Sequence, residues 1–114
     1  MTGDVTGEQL REPALSVAQV TVDDRCVVTV RGELDACSAP DVRAAIDQAQ
    51  DLDVELDLAG VTFIDSSGLA MIVEARQRLM AHDHRLLLGA RSAIVQRLLE
   101  LSGVAGRLDG GPSA

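Results

Sequence analysis

The hydrophobic period of this chain switches repeatedly between two residues and about 3.6, which confines it to folds that alternate strands with helices. The switch is sharpest in the middle. Val54, Leu56 and Leu58 alternate with Asp53, Glu55 and Asp57, as in a strand with one buried and one wet face. Ala59-Gly60 is expected to break that strand, and Val61 to Ile64 follows as a short apolar run. From about Ser66 to Ala81 the period becomes helical, with Leu69, Ile72, Val73, Leu79 and Met80 expected to point inward.

The same alternation extends to both sides. Upstream, Leu15 to Val22 and Cys26 to Arg31 are rich in Val and Thr and read as two strands joined by a turn at Asp23-Asp24-Arg25. Val42, Ala45, Ile46 and Ala49 then fall on one stripe of a helix. Ser38 is its expected N-cap, and Pro40 lies in the first turn, where a missing N–H costs nothing. Downstream, Arg85 to Leu88 reads as a strand ended by Gly89. A third helix runs from about Ser92 to Leu101, its apolar face made by Ile94, Val95, Leu98, Leu99 and Leu101, with Gly103 closing it. A last short strand is expected at 105–108. Residues 1–13 and 109–114 read as flexible tails around one domain at 14–108. The expected architecture is α/β: a mixed sheet of about four to five strands, with about three to four helices mainly on one face.

Composition removes whole classes of function. The chain has 114 residues, with 18 acidic and 10 basic side chains, for a net charge of -8. Every basic residue is Arg. Without Lys there is no Walker phosphate loop, no Schiff base and no Ser-x-x-Lys nucleophile. The acidic balance opposes nucleic-acid binding, and a single aromatic, Phe63, offers no stacking platform. No apolar stretch approaches the roughly 18 residues that span a bilayer, and the first residues, with no apolar run, are not expected to act as a signal peptide. A cytoplasmic protein is expected. Cys26 and Cys37 match neither zinc nor redox spacing and read as small hydrophobes.

One segment carries chemistry: Phe63-Ile64-Asp65-Ser66-Ser67-Gly68-Leu69. An apolar run stops at an acid, two hydroxyls and a glycine follow, and a helix begins. Serines at a helix start are first of all capping residues, because their oxygens accept from unpaired backbone N–H groups. A serine there is also exposed and firmly held. Phosphorylation would add about -1.5 to -2 charges beside Asp65. The helix start should tolerate that charge, whereas a partner docked over it would not.

With this segment, the chain resembles the anti-sigma factor antagonists, small bacterial STAS-domain proteins. Three blocks carry the resemblance: Gly32-Glu33-Leu34-Asp35, then Leu56-Asp57-Leu58 with Val61 to Leu69, then Arg97 to Gly103. Ala70 stands where many members have Gly, and Ala93 where many have Pro; both suit a helix.

The resemblance implies a STAS-like fold and a switch in place of an enzyme. The serine after the signature Asp, here Ser66, would be the phosphorylation site. The partner would be an anti-sigma factor that is also a serine kinase. The unphosphorylated antagonist would bind it and release the sigma factor, phosphorylation would end binding, and a PP2C-type phosphatase would restore it. Asp35, Asp65, Ser66, Ser67, Gly68 and Leu69 would form the partner surface. Ser67 is expected to act as a cap, Gly68 to permit close backbone approach, and Leu69 to face core or partner. Asp35 and Asp65 read equally well as polar loop residues. No cofactor is expected, and a monomer or weak dimer is.

Other readings lead elsewhere. A nucleophilic serine needs a positioned base, and His82 and His84 are expected beyond the far end of the same helix. His82-Asp83-His84 and the Asp53, Glu55, Asp57 row would suit a metal only with a further convergent ligand. The same fold also serves as a scaffold subunit in stress-signalling assemblies or as a transporter accessory, which is the alternative role for this chain.

Overall fold

The computed structural model describes residues 14–49 and 51–104. Strands β1 (Leu15–Val22) and β2 (Arg25–Leu34) form a hairpin, followed by helix α1 (Ala39–Gln48), β3 (Asp53–Ile64), α2 (Ser66–Ala81), β4 (Leu86–Arg91) and α3 (Ala93–Ser102). The strands lie in the order β1-β2-β3-β4. The first pair is antiparallel, and the β2–β3 and β3–β4 pairs are parallel. This is the expected mixed sheet. The tails and the strand expected at 105–108 fall outside the described residues.

Alternation decides which face is covered. Cys26, Val28 and Val30 on β2, with Val54, Leu56 and Leu58 on β3, are buried in one core with Val42 and Ile46 of α1, Ile72 and Leu79 of α2, and Val95 and Leu99 of α3. The alternate residues Thr29, Glu55 and Asp57 remain half-exposed. Among the described residues, no helix is long and apolar enough to cross a membrane.

Four expectations about the elements need correction. First, β3 does not end at Ala59-Gly60; it runs on to Ile64. The extra residues are absorbed as irregularities against β2, between Thr29 and Arg31 and again between Gly32 and Glu33. Asp57 braces the first of these, its Oδ1 accepting from the Ala59 N–H at 3.1 Å. Second, β4 continues through Gly89 to Arg91. Both glycines sit under a neighbour's long side chain: a Cβ would lie 2.8 Å from Cγ of Arg31 at Gly60, and 2.7 Å from Oε2 of Glu55 at Gly89. Glycine here marks close approach inside a strand, not its end.

Third, the inward stripe of α2 is Gly68, Met71, Ile72, Ala75 and Leu79. Met80 is 51% exposed, and Val73 and Leu69 only flank the core. The helix is turned so that Gly68 lies against the end of β2 and Ala75 is fully buried. Fourth, in α3 only Val95 and Leu99 are buried, while Ile94 and Leu101 are exposed. Gly103 closes α3 in the left-handed conformation, at φ 79°.

Candidate functional site

The parallel pairing of β2 and β3 builds the site. Leu34 lies in register with Ile64, so both strands finish side by side and the next residues, Asp35 and Asp65, leave the sheet together. The Asp65 N–H donates to the Leu34 carbonyl at 3.3 Å, tying the two junctions.

Each aspartate caps the turn that follows it. Asp65 Oδ1 accepts from the N–H groups of Ser67 (2.9 Å) and Gly68 (3.1 Å). Asp35 Oδ1 accepts from Cys37 (3.0 Å) and Ser38 (3.1 Å). The offsets are the same two and three residues. Asp35 also starts the helical bonding toward α1, its carbonyl accepting from Ala39 at 2.8 Å.

The two serines therefore stand differently from expectation. Ser67 is not the cap of α2; Asp65 is, because it precedes the first helical residue and its carboxylate reaches the free N–H groups. Ser66 and Ser67 occupy the first helical turn and are exposed. Ser38 does not cap α1 with its side chain. Its buried hydroxyl instead donates to the Glu33 carbonyl at 2.7 Å and accepts from the Asp35 N–H at 3.0 Å. Asp35 and Ser38 thus satisfy each other reciprocally, as in a capping box.

Two glycines set the spacing. At Gly68 a Cβ would lie 2.7 Å from the Leu34 carbonyl oxygen and 2.9 Å from Leu34 Cγ, so only glycine lets α2 come this close to the end of β2. Gly32 has φ +103°, and a Cβ there would meet the Ala14 carbonyl. Its conformation lets the Glu33 N–H reach that same carbonyl at 2.7 Å.

Beside the serines runs a groove of about 350 Å³ between α1 and α2. Buried Ala39 and Met71 lie along it with exposed Ala70, Arg43 stands on the α1 side and Glu74 on the α2 side, and the groove reaches Ser67.

The model of the STAS domain family matches residues 16–110. The chain belongs to the STAS domain family. The anti-sigma-B factor antagonist of Staphylococcus epidermidis is 31% identical over 93 residues, covering 79% of this chain and 86% of that protein. That of Listeria monocytogenes is 33% identical over 85 residues, covering 72% and 75%. The crystal structure of an anti-sigma factor antagonist from Mycobacterium paratuberculosis superposes with a TM-score of 0.76 at 25% identity, covering 90% of this chain and 92% of that one.

In this STAS domain, Asp35, Asp65, Ser66, Ser67 and Gly68 converge at the neighbouring ends of β2 and β3, and Leu69 is half-buried against the core. His82 and His84 lie at the other end of α2, where His82 is the C-terminal cap; sixteen helical residues put them about 24 Å from Ser66. Among the described residues, no group of three or more His, Cys, Asp or Glu is arranged to hold a metal ion. The two cysteines are free but unlike. Burial pushes the Cys26 thiol above its ordinary range. Cys37 is exposed in the Asp35 turn and does not behave as a core hydrophobe.

Two features escaped the sequence reading. Ser38 braces Asp35, and the signal was there in Asp35-x-x-Ser38, a capping-box spacing. The α1–α2 groove had no local signal, because its lining comes from two separate helices.

Proposed function

We propose that this chain is an anti-sigma factor antagonist whose unphosphorylated form binds an anti-sigma factor serine kinase, so releasing the sigma factor, and whose phosphorylation at Ser66 ends that binding. The names of its S. epidermidis and L. monocytogenes relatives supply the regulatory role. The observation that carries the switch is the cap. Asp65 already occupies the Ser67 and Gly68 N–H groups, the groups that would otherwise cradle an anion at a helix start. A phosphate on Ser66 finds those donors taken by a carboxylate, with Asp35 in the neighbouring junction. The added charge stays on the surface with no donor of its own, and a protein that docks over it must strip its water beside the Asp65 carboxylate.

Asp35, Asp65, Ser66, Ser67, Gly68 and Leu69 mark the docking surface, and the groove beside Ser67 extends it with an apolar base. The domain acts as substrate and ligand, not as an enzyme. Among the described residues no histidine stands near Ser66, the Asp65 carboxylate is engaged as the helix cap, and the kinase supplies ATP, magnesium and catalytic groups. A PP2C-type phosphatase resets the switch, and all three proteins meet in the cytosol. With a net charge of -8, the domain is steered toward a basic patch, so association slows as salt rises.

Incubation with the cognate kinase and ATP, followed by mass spectrometry, tests the reading. One phosphate at Ser66 is expected, whereas a phosphate only at Ser67 or elsewhere overturns the assignment. Ser66→Asp should bind the kinase at least about tenfold more weakly, a loss of about 1.4 kcal/mol. Copurification with a transporter or a scaffold assembly, and no kinase, would select the accessory role instead.

A further inference from the structure

Strand β1 has a property that the switch does not use. It forms one edge of the sheet and, among the described residues, pairs with β2 alone. Every second residue of such a strand turns its N–H and C=O away from the neighbour. Natural edges are guarded with charged side chains, proline or bulges. Strand β1, LSVAQVTV, has none of these. Its register runs unbroken from Leu15 opposite Gly32 to Val22 opposite Arg25. Val20 is 59% exposed and Val22 49%. They share one face with Ala18 by strand periodicity. The opposite edge among the described strands, β4, is shorter, carries Arg91 and is irregular between Leu56 and Leu58 of its partner.

We propose that β1 is a self-pairing edge: two copies of this chain join β1 to β1, antiparallel about a two-fold axis, into one continuous sheet. Three observations favour a second copy over another occupant. The outward donors and acceptors of an antiparallel edge complement themselves under a two-fold rotation. The chain carries -8 overall, yet this strand has no charge. It is therefore a seam where two such copies meet without like charges opposed. Pairing also sets the exposed Ala18, Val20 and Val22 of each copy beside those of the other. The seam lies across β2 from the β3–α2 junction, so both Ser66 sites stay open. This inference is independent of the switch.

A strand-to-strand seam is a small interface, so the dimer is weak and populated from about 100 µM upward. Salt strengthens it by screening the repulsion between acidic copies. Sedimentation equilibrium of the full chain from about 10 µM to about 1 mM, at low and high salt, reads this directly. Val20→Glu and Ala18→Glu each place like charges at the seam and should raise the dimer dissociation constant at least about tenfold. Both positions are already exposed, and circular dichroism confirms that each variant folds. Leu101→Lys, on the exposed side of α3, should leave the dimer unchanged. In hydrogen exchange, β1 amides should gain protection as concentration rises. A monomer throughout the range overturns the proposal, as does a dimer disrupted by Leu101→Lys and indifferent to both glutamates. A β1 protected only by an added extended peptide would also overturn self-pairing.

Discussion

The junctions β2–α1 and β3–α2 repeat one construction with opposite outcomes. Each strand ends at an aspartate whose Oδ1 takes the N–H groups two and three residues on. After Asp35 comes Ala36-Cys37-Ser38, and the one hydroxyl turns inward, held by Glu33 and Asp35. After Asp65 comes Ser66-Ser67-Gly68, and both hydroxyls are exposed. The third position decides the difference. Gly68 presses against the Leu34 carbonyl with no side chain to bury. A serine there would have to displace β2. Identical caps thus yield a braced loop on one side and a presented hydroxyl on the other.

The sharpest way to break this comparison is to remove each hydroxyl in turn. Ser66→Ala should abolish phosphate incorporation by the kinase and change stability by less than about 0.5 kcal/mol. Ser38→Ala should keep full incorporation yet cost about 1–3 kcal/mol in urea unfolding, because the Glu33 carbonyl and the Asp35 N–H lose their partner. If Ser38→Ala proved silent in stability, the two serines would not differ as described.

Gly68→Ala probes the spacing. Its methyl group would crowd Leu34, and the better helix propensity of alanine offsets only part of that strain. A net loss of about 1–2 kcal/mol is expected by thermal unfolding. A variant as stable as the parent would mean that α2 slides freely along β2.

Asp65→Asn separates the cap from the charge. Asparagine caps nearly as well, so stability should move by less than about 0.5 kcal/mol. The phosphorylated variant should retain several-fold more kinase affinity than the phosphorylated parent, since one repelling carboxylate is gone. Equal affinities for both phosphorylated forms would remove Asp65 from the electrostatic switch.

The smallest effect is at the cysteines. Cys37, exposed in the Asp35 turn, should react with a maleimide at least about tenfold faster than Cys26, whose buried thiol stays protonated at neutral pH. Mass spectrometry of partially labelled protein would show it, and a bulky label at Cys37 should hinder kinase binding without unfolding the domain.

Much of this was legible in sequence where the signal is local. The alternation in β3, the stripe of α1 and the Asp65-Ser66 step can each be read from a few consecutive residues, and the succession of strands and helices along the chain, with a mixed sheet, followed. The cap was misassigned because serine and aspartate compete for the same N–H groups, and only the strand end decides which residue precedes the helix. The breaks expected at Gly60 and Gly89 failed because each glycine answers to a side chain on another strand, Arg31 or Glu55. No local window contains that partner. The groove was hidden for the same reason, since Arg43 and Glu74 come to line one groove only through the packing of α1 on α2.

In open α/β sheets, small ligands commonly settle in the crevice beyond the carboxyl ends of the strands. Here, at the ends of β2 and β3, Gly68 closes α2 onto Leu34 so tightly that a methyl group does not fit between them. The contact between β2 and α2 is closed at the place where folds of this kind usually open. Under the proposed switch this surface is read from outside, and a single modified atom on it would be enough to change the reading.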